Sequence, residues 1–112
     1  MSQHCFPTTH QGQPVQLMLG WDRPLQGFFM VIERTGVDDD EEEDPFVYSN
    51  LYDVDLLPTR GYAHDISYFQ AKLNDLGLQV PERILQEVRE DRAHNVGNRV
   101  VFYDGAGNPL DA

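Results

Sequence analysis

The sequence predicts an α+β fold: an antiparallel sheet of three N-terminal strands plus a C-terminal strand, with a two-helix hairpin packed on one face. Three patterns carry this expectation. Residues 14–21 alternate apolar and other side chains with a period of two. Residues 66–76 and 84–88 repeat apolar side chains at spacings of three and four. After the second of these stretches comes a dense β-forming run, Arg99-Val100-Val101-Phe102-Tyr103. A chain of 112 residues can bury one core without disulfides or a structural metal, so a single domain spanning 1–112 is expected.

Each element has its own signal. His4 to Thr9 carries Cys5, Phe6 and two threonines, and Gln11-Gly12 supplies a residue free to adopt positive φ, so a β-hairpin is centred there. Pro7 has no N–H for a ladder and places this first strand at the rim of the sheet. Val15, Leu17, Leu19 and Trp21 share one face of the second strand. Turn residues at Asp22-Arg23-Pro24 and Gly27 lead into the third strand, Phe28 to Arg34. Phe46-Val47-Tyr48 reads equally as a short strand or as a return of the chain onto the core. Asp65 is placed to cap a helix in which Ile66, Phe69, Leu73 and Leu76 point inward, and Gly77 sits where a left-handed residue would end it. Pro81 suits the first turn of a second helix running to about His94. Ile84, Leu85 and Val88 face inward there, and Glu82, Arg83, Glu87, Arg89, Glu90 and Arg92 face outward.

The net charge of −11 is concentrated in one segment. From 36 to 56 there are nine acids and no bases, seven of the acids forming the unbroken run Asp38 to Asp44. Adjacent like charges repel and resist burial, so a mobile loop is expected at about 36–45, with a loose tail at about 104–112. Outside 36–56, ten acids face eight Lys plus Arg, and the molecule is nearly neutral. An acidic chain without clustered cations repels phosphates and anionic lipid, which disfavours direct nucleic-acid binding. No apolar stretch approaches the ~18 residues of a membrane span, and Met1 to His4 has neither a basic nor an apolar leader region. With a lone Cys5, these features favour a cytoplasmic protein with no membrane partner.

Chemistry-bearing motifs are sparse. His4, Cys5 and His10 could suit Zn²⁺ if a fourth ligand joined them. On a strand, however, His4 and Cys5 face opposite sides. His64-Asp65-Ile66-Ser67 contains the residue types of a catalytic triad, but Asp65 and Ser67 are better placed as helix caps. The acidic run lacks the spaced ligands and central glycine of a Ca²⁺ loop, and Asp53 with Asp55 is not a distinctive carboxylate pair. No catalytic residue, metal ligand set or cofactor is therefore assigned.

Aromatic-rich stretches remain. Trp, Tyr and Arg dominate binding hot spots, which makes Trp21, Arg23, Phe28, Tyr48 and Tyr52 the candidate binding residues, with core packing as the alternative use of the same side chains. The third strand is apolar on both faces. Its second face needs a cover, either the 46–62 segment or a second copy of the chain in a homodimer. The function expected is a non-catalytic interaction or accessory module with a protein partner. An acidic inhibitor that mimics nucleic acid is the alternative, and a small metal protein or enzyme using His4, Cys5, His10 or His64 is a third.

Overall fold

A computed structural model describes residues 1–35 and 46–110. The protein is α+β, with a five-stranded mixed sheet and two helices. The strands are β1 (Ser2–His10), β2 (Gln13–Asp22), β3 (Gly27–Arg34), β4 (Phe46–Ser49) and β5 (Arg99–Phe102), in the order β4-β3-β2-β1-β5. Helices α1 (Ser67–Asp75) and α2 (Glu82–Ala93) cover one face, and two 3₁₀ helices, Asn50–Tyr52 and Val54–Thr59, connect β4 toward α1.

The local signals act where expected. Gln11 and Gly12 both take positive φ, 52° and 79°, the two-residue turn whose twist suits an antiparallel hairpin. Asp65 accepts the Ser67 N–H at 2.9 Å from one residue ahead of the N-cap position, which Ile66 fills. Gly77, at φ 71°, ends α1, and Pro81 stands immediately before α2. Val15, Leu17, Leu19 and Trp21 of β2 and Phe28, Met30 and Ile32 of β3 bury one sheet face beneath Phe69, Leu73, Leu85 and Val88. Phe6, Ile84 and Tyr103 form a smaller cluster beside it.

The sheet departs from the expected antiparallel one in two ways. β5 runs parallel to β1, pairing Ser2 with Arg99 and Cys5 with Phe102. The cause lies in the connection: α2 is followed by a turn at 94–95 and a short link beside the start of β1, where the Met1 amino group donates to Asn98 Oδ1. The last strand thus begins alongside Ser2 and travels the same way. Residues 46–49 are a true strand, paired antiparallel with β3 across an irregularity at Ile32/Glu33. Pro7 follows from the same topology. β1 is an inner strand, but β5 pairs only with its first half, so Pro7 pairs with Gln16 alone.

The second face of β3 is covered partly from within the chain. Phe29 is buried, its ring edge-on to Tyr62 at 6.5 Å. Gly20 makes room for it, since a Cβ there would sit 2.5 Å from the Phe29 ring. The segment expected as a loose tail is hydrogen-bonded as far as Leu110. Asp104 accepts the Ala106 and Asn108 N–H groups, and the Leu110 N–H donates to Phe102 O at 2.7 Å. The expected mobile loop at 36–45 lies outside the described residues.

Candidate functional site

The segment 50–59 inverts the usual placement of side chains. Two short 3₁₀ helices, interrupted at the extended Asp53 (φ −81°, ψ 111°), give it a three-residue repeat in burial. The inward column is Asn50, Asp53 and Leu56, all buried, two of them polar. The neighbouring column is Leu51, Val54 and Leu57, which are 62%, 72% and 67% exposed. Tyr52, at 73% exposure, stands beside it, with its ring 6.4 Å from that of Phe46. Hydrocarbon faces water while amide and carboxylate are buried.

The polar column holds the segment in place. The Asn50 side-chain amide donates to Gly61 O at 2.7 Å. Asp53 Oδ2 accepts from the Tyr48 hydroxyl at 2.6 Å and the Tyr68 hydroxyl at 2.7 Å, and Lys72 Nζ lies 3.7 Å away. Asp53 Oδ1 accepts the Asp55 N–H at 3.0 Å, starting the second 3₁₀ helix. Burial acts to raise the Asp53 carboxyl, but the two hydroxyls, the Asp55 N–H and Lys72 outweigh it and hold it below the usual carboxylate range. The tyrosines respond in the opposite sense. Burial and then the Asp53 carboxylate push Tyr48 well up, and Tyr68 up to about 12. One carboxylate therefore ties β4, the connecting segment and α1 together.

A second polar cluster lies between α2, β1 and β5. His4 is 0% and Asp91 1% exposed. His4 Nε2–H donates to Asp91 Oδ2 at 2.6 Å, and Nδ1 faces the Tyr103 hydroxyl at 2.8 Å. Arg99 donates to Asp91 Oδ1 at 2.7 Å and to Glu87 Oε2 at 2.9 Å. Burial acts to raise Asp91, but bonds from His4, Ser2 and Arg99 prevail and lower it. His4 and Asp91 share these bonds with protein groups and are sealed from solvent. Geometrically the cluster joins the last strand to the sheet and helix.

The sequence candidates scatter. Trp21 and Phe28 are core residues, their rings 5.2 Å apart, and the Trp21 Nε1–H donates to Asn95 Oδ1. Their bulk fills the sheet–helix interface, which corrects their assignment to a surface. Arg23 is exposed on the β2–β3 turn, Tyr48 is half-buried against Asp53, and Tyr52 is at the surface. His4 and Cys5 occupy opposite sheet faces, burial pushes the Cys5 thiol up, His10 is half-buried at the hairpin end of β1, and His64 is exposed. Among the described residues no group of three or more His, Cys, Asp or Glu could hold a metal ion. Leu51, Val54 and Leu57 were not singled out by sequence reasoning. Their signal was a period of three shared with Asn50, Asp53 and Leu56.

A cavity of about 370 Å³ lies between Phe28, Asp65, Ile66, Arg89, Arg92 and Ala93. Its cations are already engaged. Arg89 donates to Glu82 and Gln70, and Arg92 donates to His64 O and lies over the Phe28 ring. Among the described residues no helix is long and apolar enough to cross a membrane. Comparison with protein-family models, with curated proteins and with solved structures finds no match for this chain.

Proposed function

We propose that the protein is a non-catalytic interaction module that binds another protein through the ridge formed by Leu51, Tyr52, Val54 and Leu57. The observation that carries this reading is the inversion at 50–59. Four large apolar side chains, each more than 60% exposed, project from a backbone anchored through buried Asn50 and Asp53. An anchored ridge loses little conformational entropy when it docks, and clustered apolar side chains on an ordered element are typical of interaction surfaces. Tyr52 keeps its place in the recognition surface, and Tyr48 positions that surface through Asp53.

The test is site-specific photo-crosslinking in the producing cell, with a benzophenone side chain replacing Leu57 in one version and Glu90, exposed on α2, in another. The expected result is a discrete protein adduct from position 57 that is absent from position 90. Identical adduct patterns from both positions would overturn the reading.

A further inference from the structure

Resting on the interaction reading above, we infer that the ridge docks a basic amphipathic helix, one that carries leucine-like side chains on one stripe and Lys or Arg along its flanks. The first argument is spacing. In 3₁₀ geometry, residues three apart rise roughly 6 Å. Within Val54–Thr59 this sets Val54 and Leu57 at the ~5–6 Å that separates i and i+4 side chains on an α-helix, so an apolar helical stripe can interleave with them, with Leu51 standing on the preceding 3₁₀ turn across the extended Asp53.

The second argument is charge. Between 46 and 59 there are two acids, Asp53 and Asp55, and no base; the first cation is Arg60. Asp53 is buried and faces Lys72 Nζ at 3.7 Å, which leaves Asp55 as the exposed acid between 46 and 59. Asp55 is exposed in the column next to the apolar one. In the sequence, the seven-carboxylate run ends two residues before Phe46, whose ring lies against Tyr52. A net charge of −11 sets a field that repels acidic helices and draws in basic ones. A second copy of this chain would bring the same field with it, which disfavours the ridge as its own partner.

Fluorescence anisotropy with labelled model peptides tests the inference. The probes are three helices of about 14 residues, ~21 Å long: one of leucine and lysine, one with glutamate in place of lysine, and one with serine in place of leucine. The protein is the full chain, compared with the double variant Leu51→Ser/Leu57→Ser, both checked for an unchanged melting curve. The leucine–lysine helix is expected to bind, and to lose at least about tenfold in affinity on the ridge variant. Its binding should weaken between about 50 and 500 mM salt. The other two helices should bind at least about tenfold less tightly than it does.

If the leucine–glutamate helix bound as well as the leucine–lysine helix and still depended on the ridge, the basic partner would be wrong while the interaction surface stood. If the leucine–lysine helix bound wild type and variant equally, charge alone would be acting, and both the inference and the ridge would fall. Failure of all three helices to bind would overturn the inference, leaving the crosslinking result to decide the ridge.

Discussion

Asp53 and Asp91 are two buried carboxylates put to opposite uses. Asp91 and its partners His4 and Arg99, with Tyr103 bonded in turn to His4, draw β5 and α2 onto the start of the sheet, and the apolar side chains beside them, Phe6 and Ile84, are buried with them. Asp53, with Tyr48 and Tyr68, fixes a segment whose apolar side chains point the other way. The first arrangement follows from folding, since a charge removed from water needs partners and its neighbours fill the core. In the second, Asn50 and Asp53 are buried with their hydrogen bonds made, while Leu51, Val54 and Leu57 stand in water, the arrangement on which the proposed interaction rests.

If the comparison holds, the two carboxylates will fail differently. Asp91→Ala should give the largest effect. It leaves the fully buried His4 Nε2–H without an acceptor and removes one of the two carboxylates that hold Arg99, a loss of about 3–5 kcal/mol for a broken buried pair. Denaturant unfolding measures it. A cost under about 1 kcal/mol would mean that β5 is held by its backbone ladder alone.

Asp53→Ala should cost less, about 1.5–3 kcal/mol, because Tyr48 and Tyr68 are only partly buried and can turn to water. Acid sharpens the contrast. The Asp53 carboxyl is depressed in the folded state, so its contribution is fully present above the ordinary aspartate value of about 4 and is lost as pH falls through the lower folded value. Asp91 follows the same sign. Melts between about pH 7 and pH 2 should therefore show an acid loss of stability that is shallower in Asp53→Asn than in wild type.

The ridge itself should give the smallest effect. Leu57→Ser removes an exposed side chain and should change stability by no more than about 0.5 kcal/mol. Melting curves of this variant and wild type should superimpose. A drop of several degrees would show that Leu57 packs within the fold, and the ridge would lose one of its members.

Much of the fold was legible because it depends on local rules. The period of two in β2, the three-and-four spacing in α1 and α2, the Gln11-Gly12 turn and Pro81 each determine their own neighbourhood. The direction of β5 was not legible, since it depends on where α2 delivers the chain, a property of the whole connection. Nor was Asp91. It is an acid on the buried face of α2, in line with Ile84 and Val88, and its partner His4 is 87 residues away. For the candidate site, the 46–62 region and Tyr52 could be picked out, but a period of three in Asn50–Thr59 reads as neither helix nor strand, so the exposed column was missed. The sequence leaves Trp21 and Phe28 open between surface and core, because the residue types that make hot spots are also those that fill cores.

Amide hydrogen exchange resolved by residue tests most directly whether the ridge is held or merely loose. The Leu56 N–H donates to Asp53 O at 3.0 Å, the Arg60 N–H to Leu57 O at 3.1 Å and the Gly61 N–H to Leu56 O at 2.8 Å. In the full chain these three amides should exchange at least about tenfold more slowly than an unstructured peptide. They should speed up in Asp53→Ala by more than the Tyr103 N–H, bonded to Cys5 O at 2.9 Å, does. Exchange of all three at the unstructured rate in the wild-type protein would contradict the account, because the apolar side chains would then project from a loose loop and not from an anchored ridge.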